Sequence, residues 1–385
     1  MKNYTPVFFL SALGAGGLSV SFFVYLLFLV PHEGVPLVTF NHIVDFFSKT
    51  AVLNKGLIIL ALVGIIYFAY KHITLLIWNI KKWNEFKKTK ECEDIRGSLK
   101  EVSFMAMPLT YAMTINVMFV LGATFVPNLW SVIEFMFPLA ILGFLGVGIY
   151  AFRIFGEYFI NLIINGNKEW EGNNNLVQLL SVFAFSMIGV GFAAPGAMSH
   201  IKLINAIGLF LSFLFIGVAI ILGMLKAILG FHAMIKNGLD EKGAPSLWIG
   251  IPILTLIGIT FIRDVFGLGH HFIENADLKA ILFTLTGFIF ALQIIIGAFG
   301  YIVLKRFNYF EKYIHSDTKD PSTYALICPG VAFFVFGMFF VQWGLIYNEV
   351  IEKYSFLHLF SIALLAVIQA KTIVTVFKLN KKFGL

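Results

Sequence analysis

Charged side chains are scarce in this chain of 385 residues: Asp, Glu, Lys and Arg make up 13% of it, against roughly 25% in soluble domains. Hydrophobic residues make up 59% of the chain, and 44 residues are phenylalanine. So little charge cannot cover so much apolar surface in water. The composition therefore excludes a water-soluble fold, a disordered regulator and a nucleic-acid-binding protein. It predicts that lipid surrounds most of the chain.

Cysteine is nearly absent as well. Cys92 lies in a charged segment and Cys328 in an apolar one, so neither a disulfide framework nor a cysteine metal cluster is expected. The adjacent His270 and His271 lack a second pair of ligands, and we predict no metal site and no cofactor. The glycine-rich stretch 14–17 lacks the Lys-Ser/Thr pair of a P-loop, so ATP-driven pumping is not predicted.

Ten apolar runs are each long enough to cross a hydrocarbon core about 30 Å thick, which takes about 20 helical residues. We number them spans 1 to 10. The runs predict an all-α integral membrane protein whose residues 1–385 form a single transmembrane domain. The predicted spans are 6–30, 56–80, 104–125, 132–155, 176–194, 203–229, 247–266, 278–304, 324–346 and 356–377.

The basic residues predict the orientation. Of the 28 Lys and Arg residues, 20 precede span 1, follow an even-numbered span or lie in the tail, if Arg153 and Lys226 are assigned to the links after spans 4 and 6. The link between spans 2 and 3, which includes Lys81 to Lys100, holds the largest group. Because Lys and Arg are retained in cytoplasmic loops, we predict a multi-pass protein of the cell membrane with both termini in the cytoplasm.

Three odd-numbered spans share a proline near their start: Pro108 in span 3, Pro252 in span 7 and Pro329 in span 9. Proline removes a backbone hydrogen bond, which lipid tolerates only where neighbouring helices or a cavity satisfy the freed carbonyl. The spacing predicts a helix kink at each proline. It also favours the odd-numbered spans as an inner ring and the even-numbered spans as an outer one.

Short stretches of spans 1, 3 and 7 resemble the tellurite-resistance/dicarboxylate transporter family, which is TehA-like and related to the plant slow-type anion channels. The stretches are Phe8 to Gly14, Ser103 to Pro108 and Ala244 to Trp248. The resemblance covers essentially the whole chain. It implies ten helices arranged as five helical hairpins around a central pore, a homotrimer, and passage of small inorganic or organic anions through a channel or secondary transporter.

The family's pore is plugged by a phenylalanine on the ninth span, in a stretch that resembles Tyr324 to Pro329. The plug position falls on Cys328, whose thiol is much smaller than a phenyl ring. Another ring, such as Phe9, Phe333 or Phe334, takes over the plug, or the alignment has slipped, or conduction differs. The family's first-span proline is also replaced here, by Ala12.

Polar and aromatic residues on the odd-numbered spans are the predicted pore lining or gate. Hydroxyl and amide groups can solvate a passing anion, and they can equally join one helix to another. Arg263 is predicted to draw anions into an outer vestibule, the alternative being a side chain that reaches the headgroups. Lys71 and Lys371 are instead expected to reach the headgroups or to pair with a neighbouring helix. The lining candidates are Phe9, Ser11, Ser103, Phe104, Met107, Thr110, Thr114, Gln178, Phe183, Trp248, Thr255, Cys328 and Phe333.

Transport is therefore the predicted function, and its partners are the anion and the lipid bilayer. The alternatives are a non-conducting membrane sensor of the same fold and an integral-membrane enzyme that uses His270, His271, His358 or Cys328. Catalysis needs a base and an oriented partner within hydrogen-bonding reach. These histidines are spread over different spans without such a partner, so an enzyme is not expected.

Overall fold

The computed structural model describes residues 4–166, 173–273 and 277–385. It is 84% helical, and no strand occurs in the part of the chain that it describes. Ten helices are long and apolar enough to span a membrane, which confirms the ten predicted spans. In chain order they are Pro6–Leu29, Val52–Phe86, Leu99–Phe125, Leu129–Asn165, Val177–Met198, Lys202–Asn237, Ala244–His271, Lys279–Arg306, Pro321–Ile346 and Phe356–Phe383.

Several helices run beyond the predicted spans. Span 4 reaches Asn165 and span 6 reaches Asn237, so both helices continue past the ends of the predicted runs through mixed polar and apolar residues. Two short helices, Phe40–Lys49 and Lys90–Ile95, lie in the links before and after span 2. Lys2 and Lys168, which entered the charge count, lie outside the described residues.

Odd-numbered and even-numbered spans differ sharply in burial. In the most apolar stretch of each odd-numbered span, 61% to 89% of the residues are buried, against 22% to 39% in the even-numbered spans. Spans 1, 3, 5, 7 and 9 contact one another in that order, and span 9 contacts span 1. Each even-numbered span packs against two neighbouring members of this cycle. We call spans 1, 3, 5, 7 and 9 the inner helices.

Hydrogen bonds give the directions of neighbouring helices. Ala12 and Ser19 of span 1 contact His72 and Ile65 of span 2, so the partners move backwards along span 2 and the two helices are antiparallel. Inner helices run parallel to each other. In span 7, Arg263 and His271 bond carbonyls at positions 190 and 199, in or just after span 5.

Every inner helix begins with a 3₁₀ segment that then becomes α-helical. Pro108, Pro252 and Pro329 are each the third residue of the α-helical part. The first turn of a helix has N–H groups without intrahelical partners, so proline costs little there. The change from 3₁₀ to α geometry accommodates the missing N–H group of each proline.

Glycines allow spans 5, 6 and 7 to approach closely at one end. A Cβ atom on Gly208 of span 6 would lie 2.6 Å from the backbone nitrogen of Gly196 in span 5. A Cβ atom on Gly267 of span 7 would lie 2.3 Å from the carbonyl oxygen of the same Gly196. Small residues permit such backbone contacts between membrane helices, and any side chain here forces the helices apart.

We predict that Gly208→Ala destabilises the protein, because the added methyl group meets backbone that cannot move aside. Overpacking of this kind costs about 1–3 kcal/mol. Gly217→Ala is the matched control on the same helix, since nothing lies within 4 Å of its Cβ position. The midpoint of unfolding in a denaturing-detergent titration should fall for Gly208→Ala alone. Equal midpoints for the two variants would contradict this close packing.

Candidate functional site

Arg263 lies within span 7, well away from the helix end. Eight residues separate it from His271, a distance of about 12 Å at 1.5 Å per residue. Its Nη1 donates to the carbonyl of Val190 in span 5 at 2.9 Å. Among the described residues, this is the one hydrogen bond of the guanidinium group, and no carboxylate forms a salt bridge with it. Arginine has five N–H donors, so four of them have no acceptor among the described residues.

The direction of Arg263 follows from the contacts of its neighbours. Thr255 bonds the carbonyl of Ala332 in span 9, and Gly267 touches span 5. Each residue turns about 100° around the helix axis. Viewed along the axis of span 7, Arg263 therefore lies roughly 80° from Thr255 and roughly 40° from Gly267, on the arc between these two residues. We call the side of an inner helix between its contacts with its two inner neighbours the interior face. Arg263 lies on the interior face of span 7.

Cys328 lies on the interior face of span 9 by the same construction. Val331 packs against Gly17 of span 1, and Ala332 accepts the bond from span 7. Cys328 falls between these two directions, roughly 60° from Val331 and roughly 40° from Ala332. Its residue is 9% exposed. The structure thus directs the Cys328 thiol into the interior of the inner helices.

Phe183 is the third sequence candidate on an interior face. It precedes Met187, which contacts Asn116 of span 3, by four residues. It precedes Val190, which contacts span 7, by seven residues. Since residues four and seven apart share a side of a helix, Phe183 points between spans 3 and 7. Its side chain is 5% exposed.

Asp264 follows Arg263 in the chain but points elsewhere. Its Oδ2 accepts a hydrogen bond from the Ser212 hydroxyl of span 6 at 3.2 Å. Its Oδ1 is buried and has no hydrogen-bond partner among the described residues, and the residue is 2% exposed. The carboxylate therefore lies between spans 6 and 7, and it does not neutralise Arg263 by direct contact.

Several of the uncharged polar candidates join helices. Thr255 donates to span 9 and accepts from Gln293 of span 8 at 2.7 Å. Thr110 of span 3 donates to the carbonyl of Phe9 in span 1 at 3.2 Å. These bonds fit one of the two roles that the sequence left open for such groups, which is to join one helix to another. All the candidates of this group are buried or half-buried: Ser11, Ser103, Thr110, Thr114, Gln178 and Thr255.

The remaining apolar candidates pack against a neighbouring span. Phe333, one of the rings considered as a replacement plug, lies with its ring centroid 5.1 Å from that of Phe290 in span 8. It is therefore directed away from the interior face that holds Cys328. The pairs are Phe9 with Tyr111, Phe104 with Trp83, Met107 with Tyr150, Trp248 with Gly297 and Phe333 with Phe290.

Lys226 occupies a different place from the one assigned to it by the charge count. It is 3% exposed and lies inside span 6, eleven residues before the helix end. Its Nζ donates to the Ser181 hydroxyl at 2.9 Å and to the carbonyl of Gln178 at 3.2 Å, and it lies 4.8 Å from the Phe155 ring centroid. An ammonium group has three donors, and these partners engage them through hydrogen bonds and a cation–π contact.

His72 is a buried polar residue that sequence reasoning missed. It is fully buried, and its Nδ1 contacts the carbonyl of Ala12 in span 1 at 2.8 Å. Its Nε2 contacts the Thr114 hydroxyl of span 3 at 2.9 Å. One ring of span 2 therefore joins two inner helices. In the sequence, His72 stands out as an ionisable residue inside an apolar run. The adjacent Lys71 stands out in the same way, so the sequence does not distinguish the two.

Histidines gather where spans 5 and 7 end. The ring of His270 lies 5.1 Å from that of His200 and 4.4 Å from that of His271. Within the described ranges, no group of three His, Cys, Asp or Glu side chains has the geometry to hold a metal ion. His358 is buried elsewhere, and its Nδ1 accepts from the backbone of Tyr354. The candidates for an enzyme site are thus not brought together.

We predict that His72→Ala lowers the free energy of unfolding by about 2–4 kcal/mol, since it removes two contacts between helices and leaves a cavity. The adjacent Lys71→Ala is the control, because Lys71 is half-buried and is not part of this junction. Unfolding by a denaturing detergent, followed by tryptophan fluorescence, measures both variants. A loss of stability in Lys71→Ala as large as that in His72→Ala would contradict the junction.

The chain matches no protein-family model and no curated protein. The geometry of the inner helices therefore carries the functional conclusion. Its central feature is an arginine on an interior face whose guanidinium group has one acceptor among the described residues.

Proposed function

We propose that this protein moves small anions across a membrane, through a passage along the centre of the five inner helices, and that Arg263 binds the anion on its way. The observation that carries the proposal is the guanidinium group of Arg263, which has one carbonyl acceptor and no carboxylate partner among the described residues. The proposal extends to five hairpins around a central pore, cytoplasmic termini and a homotrimer.

Arg263 is half-buried, and an unpaired positive charge at membrane depth is costly. A transient anion supplies the missing partner, and the planar fork of arginine suits the oxygens of a carboxylate, nitrate or similar oxoanion. The low dielectric of the apolar surroundings strengthens this attraction. Because the bond to Val190 can be exchanged with the anion, binding need not be tight enough to stop release.

The alternative role of Arg263 was to reach the headgroups. Against it stands the depth of Val190, which is eight residues before the end of span 5 at Met198. The guanidinium group bonds a carbonyl at this depth and so stays about 12 Å from the helix ends. The interior face of span 7 also directs the side chain towards the other inner helices and not towards lipid.

The other residues placed on interior faces are apolar or weakly polar. Leu256 and Ile259 share the face of span 7 with Arg263, at helical spacings of seven and four residues. Phe183 and Cys328 lie on the interior faces of spans 5 and 9, nearer the starts of these helices than the level of Arg263. A narrow apolar passage excludes water and larger solutes, and such constrictions gate channels by dewetting. A single cationic group in such a passage selects anions over cations.

We predict that Arg263→Gln lowers anion flux at least tenfold, because the amide keeps some hydrogen bonding but loses the charge. Purified protein in liposomes is tested with chloride, nitrate, sulfite and a small dicarboxylate. Arg153→Gln is the matched control, since Arg153 is exposed at 79% of its side chain. Unchanged flux in Arg263→Gln removes the residue from the path. Wild-type flux no greater than that of empty vesicles for every anion overturns transport.

Cys328 gives a second test of the same passage. We predict that Cys328→Phe lowers flux severalfold, since a phenyl ring fills the interior face, and that Cys328→Ser leaves flux near the wild-type level. A small charged thiol reagent should label Cys328 in a Cys92→Ala background, which removes the second thiol. In the protein that keeps Cys92, burial raises the pKa of this thiol, so labelling of Cys92 at neutral pH is expected to be slow. Full protection of Cys328 and unchanged flux in Cys328→Phe would place it outside the passage.

A further inference from the structure

We propose that Asp264 binds a proton that crosses with the anion, so that transport is an electroneutral proton–anion symport. The inference rests on the proposed role of Arg263 as the anion site. It assigns a function to a residue that the anion site does not itself use.

Asp264 is poorly compensated as an anion. It is 2% exposed, one oxygen accepts from the neutral Ser212 hydroxyl, and Oδ1 has no partner among the described residues. A buried carboxylate is stable when it is paired with a cation or accepts several hydrogen bonds. With a single neutral donor, the alternative is to bind a proton.

Glu101, another buried carboxylate, shows the difference. It is 5% exposed, and its Oε2 accepts from the backbone N–H of Gly97 at 2.7 Å, in the first turn of the 3₁₀ segment that opens span 3. Its site faces the link before span 3, where water and the charges of that link are close. Asp264 has neither advantage.

Charge balance couples the proton to the anion. With no ligand, Arg263 and an ionised Asp264 sum to zero. With an anion on Arg263 and a proton on Asp264, the sum is again zero. Each intermediate with only one of the two ligands carries a net charge in a low-dielectric region, which is costly. Binding of either ligand therefore favours binding of the other, and the coupling is reciprocal.

Other charges near Asp264 are few. Span 5 and span 9 carry no Asp, Glu, Lys or Arg, and the titratable Tyr324 and Cys328 lie in the opposite half of span 9. Span 6 presents the uncharged Ser212 and Asn205. More distant groups lie towards the ends of their helices or in Lys226's separate site: Lys202, Lys226, His232 and Lys236 of span 6, Lys279, Lys305 and Arg306 of span 8, and Glu134, His200, His270 and His271 where spans 4, 5 and 7 meet the surface.

A metal cation fits this site less well than a proton. Hard cations take several oxygen ligands at short range, whereas among the described residues Asp264 has one hydrogen-bonding partner, the Ser212 hydroxyl. The amide of Asn205 donates to the carbonyls of Gly196 and Gly267, which ties those carbonyls to span 6. A proton needs one free oxygen, and Oδ1 provides it.

The test measures anion and proton movement together, in liposomes that contain a trapped pH-sensitive dye and nitrate as the probe anion. The wild-type protein should acidify the lumen by one proton per nitrate taken up, and a pH gradient alone should drive uptake at any membrane voltage. Asp264→Asn should carry nitrate with a proton-to-nitrate ratio near zero, and its nitrate uptake should depend on the membrane voltage. Asp264→Glu should restore the ratio. Asp45→Asn, at an exposed carboxylate, should keep it at one.

The outcomes separate this inference from the proposed function. Absence of nitrate flux in the wild-type protein defeats anion transport itself, and the coupling with it. Nitrate flux without acidification, or flux driven by a sodium gradient in place of a pH gradient, overturns the proton site and leaves anion transport standing. Proton coupling that persists unchanged in Asp264→Asn assigns the proton to another residue.

A measurement on the wild-type protein covers the case in which Asp264→Asn does not fold. A hydrophobic carbodiimide modifies protonated carboxyl groups in apolar surroundings, and peptide mass mapping locates the adduct. We expect modification of Asp264 at acidic pH that declines as the pH rises and as Asp264 loses its proton. No adduct on Asp264 at pH 5, in vesicles with measured proton coupling, would overturn the assignment.

Discussion

A bilayer offers no water to an unpaired polar group, and this constraint organises the whole molecule. Most polar side chains inside the spans satisfy it by joining helices: His72 bonds spans 1 and 3, and Thr255 bonds span 9 while it accepts from span 8. Even Lys226 has two oxygen acceptors and an aromatic ring. Arg263 and Asp264 depart from the rule at neighbouring positions, and the roles proposed for them rest on this departure.

The alternation of buried and lipid-facing spans serves the same constraint. Five parallel helices cover one another in a cycle, and five others cover the joints between them. Close glycine contacts such as Gly196 with Gly208 leave no gap between spans 5, 6 and 7, which is where Asp264 is buried. The isolation of that carboxylate is therefore a consequence of backbone packing and not of the local sequence.

Hydropathy and length predicted the ten spans because crossing a membrane needs about 20 apolar residues regardless of what surrounds them. The direction of each side chain was less accessible, since it depends on neighbours far away in the chain. Lys71 and His72 looked alike in sequence, and tertiary contacts alone distinguish them. The same holds for Phe333, which points at span 8, and for Lys226, whose partners lie about 45 residues away. The π-helical end of span 9, Phe340–Ile346, has no recognisable sequence signature.

Arg263 and Asp264 show why adjacency in sequence differs from pairing in space. Consecutive residues of a helix point about 100° apart and do not face each other, so Arg263 lies towards span 5 and the interior while Asp264 lies towards span 6. A direct ion pair would satisfy both groups and bind nothing else. Two opposite charges held apart cancel over a distance, yet each keeps free hydrogen-bonding capacity for its own ligand. In the proposed mechanism, separation by one residue on a helix lets the two groups act as coupled binding sites, which a direct ion pair would not.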